Sequence, residues 1–212
     1  MKLTIFGATG ATGKQLIEQA LAAGDQVVAF ARNPSKIDAD RERLTIVQGE
    51  LIDTAAIERA VSGADAAISV LGPRPQENFN SRPLTQGMQA ILAAMQKTGV
   101  RRLIISSTPS ASDPNDLPDF KFKVLVAMIK VVMHPSYEEI VNVAQIVRQS
   151  NTDWTIVRVS RLNNNSALGK IRVGYLGRNQ VGTNISRADL AAFMLAQVKD
   201  TTYLRQAPAI SN

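Results

Sequence analysis

Three glycines spaced by three, Gly7, Gly10 and Gly13, stand between a short apolar run, Lys2–Phe6, and a helical pattern. A strand, a glycine turn and a helix in that order give each glycine a separate task. Gly7 makes the tight turn, Gly10 lets a pyrophosphate approach the backbone, and Gly13 lets the helix pack on the strand. The N–H groups at the start of the helix then face the phosphates. The competing reading is an ordinary strand-to-helix turn. The position of the motif, at the start of the sequence and between those two elements, favours the dinucleotide reading.

Further apolar runs of strand length follow at Gln26–Ala31, Leu44–Val47, Ala66–Leu71, Arg102–Ser106 and Trp154–Val159. Helical patterns lie between them. Gln15–Ala23 carries Leu16, Ile17, Ala20 and Leu21 on one face and ends at Gly24. Thr54–Val61 follows Asp53 as N-cap, Leu84–Gln96 has five apolar residues on one face, and Glu138–Arg148 ends before Ser150-Asn151. Six apolar strands alternating with helices predict a doubly wound, Rossmann-type parallel sheet with helices on both faces. Strands covered on both faces read as continuous apolar runs, as these do.

No linker of Gly, Ser or Pro divides the 212 residues, so a single α/β domain over 1–212 is expected. Its substrate side is assigned to about 108–136 and 160–185. Thr108–Asp119 reads as a loop, as does Asn163–Asn165. Phe120–Met133 is apolar almost all round and predicts a helix or helical hairpin. Its face would form either a wall of the acceptor pocket beside the nicotinamide end, or plain core or a dimer interface.

Composition narrows the chemistry. The absence of Cys removes disulfides and thiolate chemistry, and a single His, His134, argues against an imidazole metal site. No metal is expected. No apolar run reaches the ~20 residues of a membrane span, and the short start before Gly7 does not read as a signal peptide. A soluble cytoplasmic protein is the expectation. The net charge of +6 is dispersed, without a run of bases, and Lys121 and Lys123 stand one residue apart. With aromatics at 5%, neither nucleic acid nor a membrane is expected as partner. The oligomeric state is open.

The residue after each strand faces the ligand crevice in a parallel sheet. The second strand ends Phe30-Ala31-Arg32-Asn33, where an NAD site would have an acid. Arg32 would instead pair with a 2′-phosphate, helped by Lys36, which points to NADP(H). The alternative is a solvated Arg. Glu50, beside Leu51, could accept from an adenine amino group or be only a loop edge. Leu71-Gly72-Pro73-Arg74 gives a glycine for close backbone approach and a cation for a phosphate or an anionic substrate, or else a plain turn and a surface Arg. Ser106, Ser107 and Thr108 end the fifth strand with hydroxyls facing the crevice or satisfying loop backbone.

Taken together, IFGATGATG (5–13), FARN (30–33), GEL (49–51), SVLGPR (69–74), ISST (105–108), SNTDWTIVR (150–158) and ISRADLAAFML (185–195) resemble the atypical short-chain dehydrogenase/reductases. The chain is most similar to their NAD(P)H-binding group around biliverdin-IXβ reductase/flavin reductase and the NmrA-like proteins. The resemblance implies that Gly7, Thr9, Gly10, Ala11, Thr12, Gly13 and Arg32 bind the pyrophosphate and adenosine. It implies that Glu50 and Leu51 flank the adenine, with Glu50 in place of the usual Asp. Leu71, Gly72 and Arg74 would pass beneath the cofactor. Ser106 to Thr108 would lie near the nicotinamide, under a loop from Arg158 to Leu162.

Two departures bear on mechanism. Many members of the wider superfamily use Tyr-x-x-x-Lys, but here Tyr137 is followed by Ile140 and Val141 where a Lys could stand. Tyr137 reads as a packing residue. The family's Arg-Pro is Arg158-Val159 here, and Arg161 aligns with a His of the flavin reductase. The expected function is NADPH-dependent hydride transfer to a flavin, quinone or tetrapyrrole, which can take its proton from water. Ser107, Thr108, Arg74 and Arg161 would position the acceptor. The alternative is a non-catalytic NADP(H)-binding redox sensor of NmrA-like type.

Overall fold

Strand β1 (Lys2–Phe6) is buried at every residue after the first, and its side chains alternate between the two faces of the sheet. Leu3 and Ile5 enter one apolar cluster, and Phe6 enters the other. The computed structural model describes residues 1–38, 41–73, 82–117, 124, 127, 130, 134–178 and 181–212. Beside β1 lies β2 (Gln26–Ala31), parallel and in register from Lys2–Gln26 to Phe6–Phe30. Next come β3 (Leu44–Gln48) outside β2, and β4 (Ala66–Ser69) on the other side of β1. β5 (Arg102–Ser107) and β6 (Asp153–Arg158) extend the parallel sheet from β4. The order 3-2-1-4-5-6 is the doubly wound arrangement expected from the sequence.

Helices cover both faces. α1 (Ala11–Ala22) and α5 (Arg187–Ala196) bury Leu16, Ile17, Ala20, Leu190 and Met194 against Leu3, Ile5 and Ala29. α2 (Thr54–Val61), α3 (Pro83–Thr98) and α4 (His134–Gln149) bury Ile57, Met88, Ile91, Met95 and Val147 against Phe6, Phe30 and Leu103. The rings of Phe6 and Phe30 meet at 5.2 Å between centroids, tying β1 to β2 on that face. α2 starts where Asp53 accepts from the Ala56 N–H at 2.9 Å, as its N-cap position predicts.

Four short strands were not legible as apolar runs. β7 (Arg161–Asn163) pairs with β9 (Asn184–Ser186) in a separate two-stranded sheet. β8 (Arg172–Gly174) and β10 (Ala209–Ser211) widen the main sheet to eight strands, with β10 parallel to β6 and β8 antiparallel to β10. Asn163 therefore ends a strand, and the loop expected over Asn163–Asn165 begins one residue later. β4 ends at Ser69, two residues before the expected Leu71. The expectation for Phe120–Met133 lies outside the described residues, except that Val124, Ala127 and Lys130 are helical and exposed.

Candidate functional site

The carboxyl ends of β1, β2, β3 and β4 open on a cavity of about 640 Å³. Gly7, Thr9 and Gly10 form its floor. Arg32, Asn33 and Lys36 come from the end of β2, Glu50, Leu51 and Ile52 from the end of β3, and Leu71 and Gly72 from the end of β4. Pro83, Leu84 and Gln86, at the start of α3, close the far wall.

The glycine turn fits a pyrophosphate. Gly7 has φ +82°, and a Cβ there would lie 3.0 Å from the Val70 backbone. A Cβ on Gly13 would lie 2.2 Å from the Gly7 carbonyl oxygen, so α1 could not pack on β1 with any other residue. A Cβ on Gly10 would meet only that same oxygen, at 3.3 Å, and its outer side is open. The helix starts agree. α2 and α5 each begin with a side-chain cap, Asp53 and Ser186. α1 begins at Gly10 with no side-chain cap and no acid in its first turn. Its first N–H groups and the positive end of its dipole are left for an anion.

The remaining expected residues fall in three places. Thr12 and Gly13 are buried behind the turn and Ala11 is exposed, and none of the three lines the cavity. Ser106 and Ser107 are half-buried at the end of β5, level with Val157 and Arg158 of β6. The Thr108 hydroxyl accepts from the Ser110 N–H at 3.3 Å. Ser106 to Thr108 sit on the same edge of the sheet as the glycine turn but outside the described cavity. Arg161 is exposed at the start of β7. Arg74 lies outside the described residues.

Arg158, expected to open the loop over the nicotinamide, turns inward instead. Its fully buried guanidinium makes two hydrogen bonds to Asp116, at 2.6 and 2.8 Å. The Asp116 carboxylate also accepts from the N–H groups of Asp113 and Leu176. Burial pushes this carboxyl up, but Arg158 and those two N–H groups outweigh it and hold it below the usual carboxylate range. Asp113, buried beside it, accepts from the Ala207 N–H at 2.7 Å. The segment after β5 is thereby fastened to β6, to the residues after β8 and to those before β10.

Glu139 is buried on α4 and reaches across to α3, where it accepts from the N–H groups of Leu84 and Thr85 at 3.0 and 2.9 Å and from the Thr85 hydroxyl. α3 has Arg82 at its own N-cap, in a left-handed conformation and without a side-chain cap bond. The carboxylate of one helix therefore caps another and fixes the wall that carries Leu84. Sequence reasoning missed Glu139, Asp113 and Asp116. Nothing in Glu138-Glu139 marks one acid as buried, and the Asp-rich loop after β5 does not show which cation it meets. Tyr137 is half-buried, and Lys130 Nζ lies 5.9 Å from its ring centroid, over the face rather than at the hydroxyl.

Comparison with known proteins agrees with this geometry. Residues 7–201 match a family model described as NAD(P)H-binding. A curated relative, the (4-alkanoyl-5-oxo-2,5-dihydrofuran-3-yl)methyl phosphate reductase of Streptomyces griseus, is 28% identical over 99% of this chain and 67% of its own length. The chain spans less than half the length of several other curated relatives that it matches. Among solved structures, a short-chain dehydrogenase/reductase from Veillonella parvula in complex with NADP superposes with a TM-score of 0.81 at 19% identity, over 100% of this chain and 94% of that one. ChuY, an anaerobillin reductase from Escherichia coli O157:H7, superposes with a TM-score of 0.79 at 20% identity, over 99% and 96%. At these identities the structural likeness shows the fold. Among the described residues no helix is long and apolar enough to cross a membrane.

Proposed function

Because this chain belongs to the NAD(P)H-binding family, we propose that it is an NADPH-dependent reductase. It passes hydride to a flavin, quinone, tetrapyrrole or similar conjugated acceptor without a Tyr–Lys acid pair. Bound NADPH supplies the hydride, and an acceptor of this kind takes its proton from water. The observation that carries the reading is the open glycine turn with Arg32 and Lys36, and no acid, at the end of β2. The Streptomyces relative is named for reduction of an oxo-dihydrofuran, and the Escherichia coli neighbour for reduction of an anaerobillin, which supports a ring acceptor.

In this reading Gly7, Thr9 and Gly10, with the first turn of α1 (Ala11, Thr12 and Gly13), hold the pyrophosphate. Arg32 and Lys36 hold the 2′-phosphate, and Glu50 and Leu51 flank the adenine. Leu71, Gly72 and Arg74 lie under the cofactor, and Ser106 and Ser107 face the nicotinamide. Ser107 and Thr108 orient the carboxamide or a ring carbonyl, while Arg74 and Arg161 stabilise charge that builds on the acceptor. The whole chain acts as one domain, with about 108–136 and 160–185 as its substrate side, and works in the cytoplasm. A screen of flavins, quinones and tetrapyrroles, followed by loss of the nicotinamide absorbance of NADPH, tests this. Steady oxidation with at least one of them is expected. Tight NADP(H) binding with no turnover on any would leave the redox-sensor reading in its place.

A further inference from the structure

From Trp154 to Ala188 the sequence holds Arg158, Arg161, Lys170, Arg172, Arg178 and Arg187 and no Asp or Glu. The whole chain has 24 basic and 18 acidic residues, so without these six cations 18 face 18 and the balance is zero. The net charge of +6 is therefore local. This corrects the expectation of dispersed charge. The six bases are too far apart to form a run, and only the absence of acids between them reveals the segment.

Asp116 neutralises Arg158. Among the described residues no ion pair is made by the other five, and Arg187 donates to the neutral amide of Asn164. Arg161, Lys170 and Arg172 are exposed. Strand register places Arg161 and Arg172, and Lys170 lies two residues before Arg172. Ala209 of β10 lies level with Arg158, the last residue of β6, and Arg172 pairs with Ser211 two residues further on. Arg161 is the third residue past the end of β6. Both cations therefore stand beyond the carboxyl edge of the sheet on the β6 side, where Ser107 ends β5, at the opposite end of the strand row from Arg32.

A solvated surface gains nothing from excluding acids, and like charges gathered in one segment repel. A bound anion relieves that repulsion, and guanidinium groups suit phosphate and carboxylate oxygens. The cofactor's own phosphates have their sites at the glycine turn and at Arg32. We infer that the acceptor is an anion, a planar molecule carrying phosphate or carboxylate groups, held by Arg161, Lys170 and Arg172. The inference rests on the reductase reading for the word acceptor, but its test does not need turnover.

The test is binding to the protein loaded with NADP⁺. FMN is compared with riboflavin, which has the same ring without the phosphate, and biliverdin with its dimethyl ester. Each acid is expected to bind about tenfold or more tightly than its neutral partner, with the margin shrinking as salt rises. The larger of the two margins tells phosphate from carboxylate as the preferred group. Arg161→Glu and Arg172→Glu should abolish the margin, and Arg172→Lys should keep it. NADP⁺ affinity in Arg172→Glu should stay within about twofold of wild type, since charge at that distance from Arg32 is screened. Equal binding within both pairs, or no binding of either acid, overturns the inference. An acid that binds yet is not reduced upholds the anion site, and the reductase reading then falls only if the whole acceptor screen also shows no turnover.

Discussion

Arg158 and Asp116 meet in a two-bond fork, Nη1 to Oδ2 at 2.6 Å and Nη2 to Oδ1 at 2.8 Å, with the guanidinium wholly buried. The fork joins the last residue of β6 to a loop that begins just after Ser107. The first residue of the loop expected over the nicotinamide is thus spent on holding the segment after β5, and Arg161 is the next exposed cation in the chain.

Breaking this pair from one side should be costly. Asp116→Ala leaves a buried guanidinium uncompensated and should lower stability by roughly 3–5 kcal/mol in urea unfolding. Replacing both partners with apolar residues, Asp116→Leu with Arg158→Met, should recover much of the loss, because no charge then remains to desolvate. Equal losses in the single and double variants would mean that packing rather than charge holds the loop.

Cofactor choice follows from the end of β2. Arg32 is exposed on the cavity rim beside Asn33 and Lys36. NADP(H) should bind more tightly than NAD(H), by roughly tenfold or more, since a charge-assisted bond to phosphate contributes on the order of 1.5–3 kcal/mol. Arg32→Asp should erase or reverse the preference. Titration of both cofactors by nucleotide fluorescence decides the matter, and equal wild-type affinities would end it.

Two carboxylates should shape the acid side of the stability curve. Burial pushes the Asp189 carboxyl up, but the N–H groups of Leu168 and Gly169, the Ser186 hydroxyl and the Asn212 amide more than offset it and hold it low. Asp116 is held low by Arg158 in the same way. A carboxyl with a depressed pKa in the folded state adds stability that is complete above its unfolded value, about 3.9, and is lost as pH falls through the folded value. Unfolding midpoints should therefore fall below about pH 4. In Asp189→Asn that part of the fall should flatten, and an unchanged acid limb would count against the assignment.

Of the strands that build the cavity, β1, β2 and β4 were legible because both of their faces are buried, whereas β3 is a half-exposed edge that still carries Leu44, Ile46 and Val47. Val27, Val28, Ala29 and Phe30 form one unbroken apolar run for that reason. The ends of those strands, Gly7, Arg32, Glu50 and Leu71, could be assigned to the cavity from chain order alone. What the sequence hid is pairing across distance. Glu139 sits beside half-buried Glu138 with no local mark of its 1% exposure, and its partners at Leu84 and Thr85 lie more than fifty residues away. β8 and β10 have three residues each, too few for a periodic pattern, and they exist because β6 offers an edge.

The chemistry itself can be tested at Tyr137 and Ser107. Lys130 lies over the Tyr137 ring rather than beside its hydroxyl, so the contact depends on the ring alone. Tyr137→Phe preserves the ring and should leave both folding and turnover close to wild type. Ser107 stands at the carboxyl end of β5, where its hydroxyl can orient the carboxamide or a ring carbonyl of the acceptor. Its main-chain carbonyl accepts from the Val159 N–H at 3.0 Å, a bond that Ser107→Ala retains. Ser107→Ala should therefore keep its fold and lose turnover, by up to ~100-fold if the hydroxyl stabilises charge in the transition state. Removing a hydroxyl that acts only on the transition state lowers kcat with little change in NADPH affinity, whereas removing one that holds the carboxamide weakens NADPH binding as well. The reverse pattern, with Tyr137→Phe inactive and Ser107→Ala normal, would show Tyr137 to be the proton donor and would move the mechanism to a tyrosine acid.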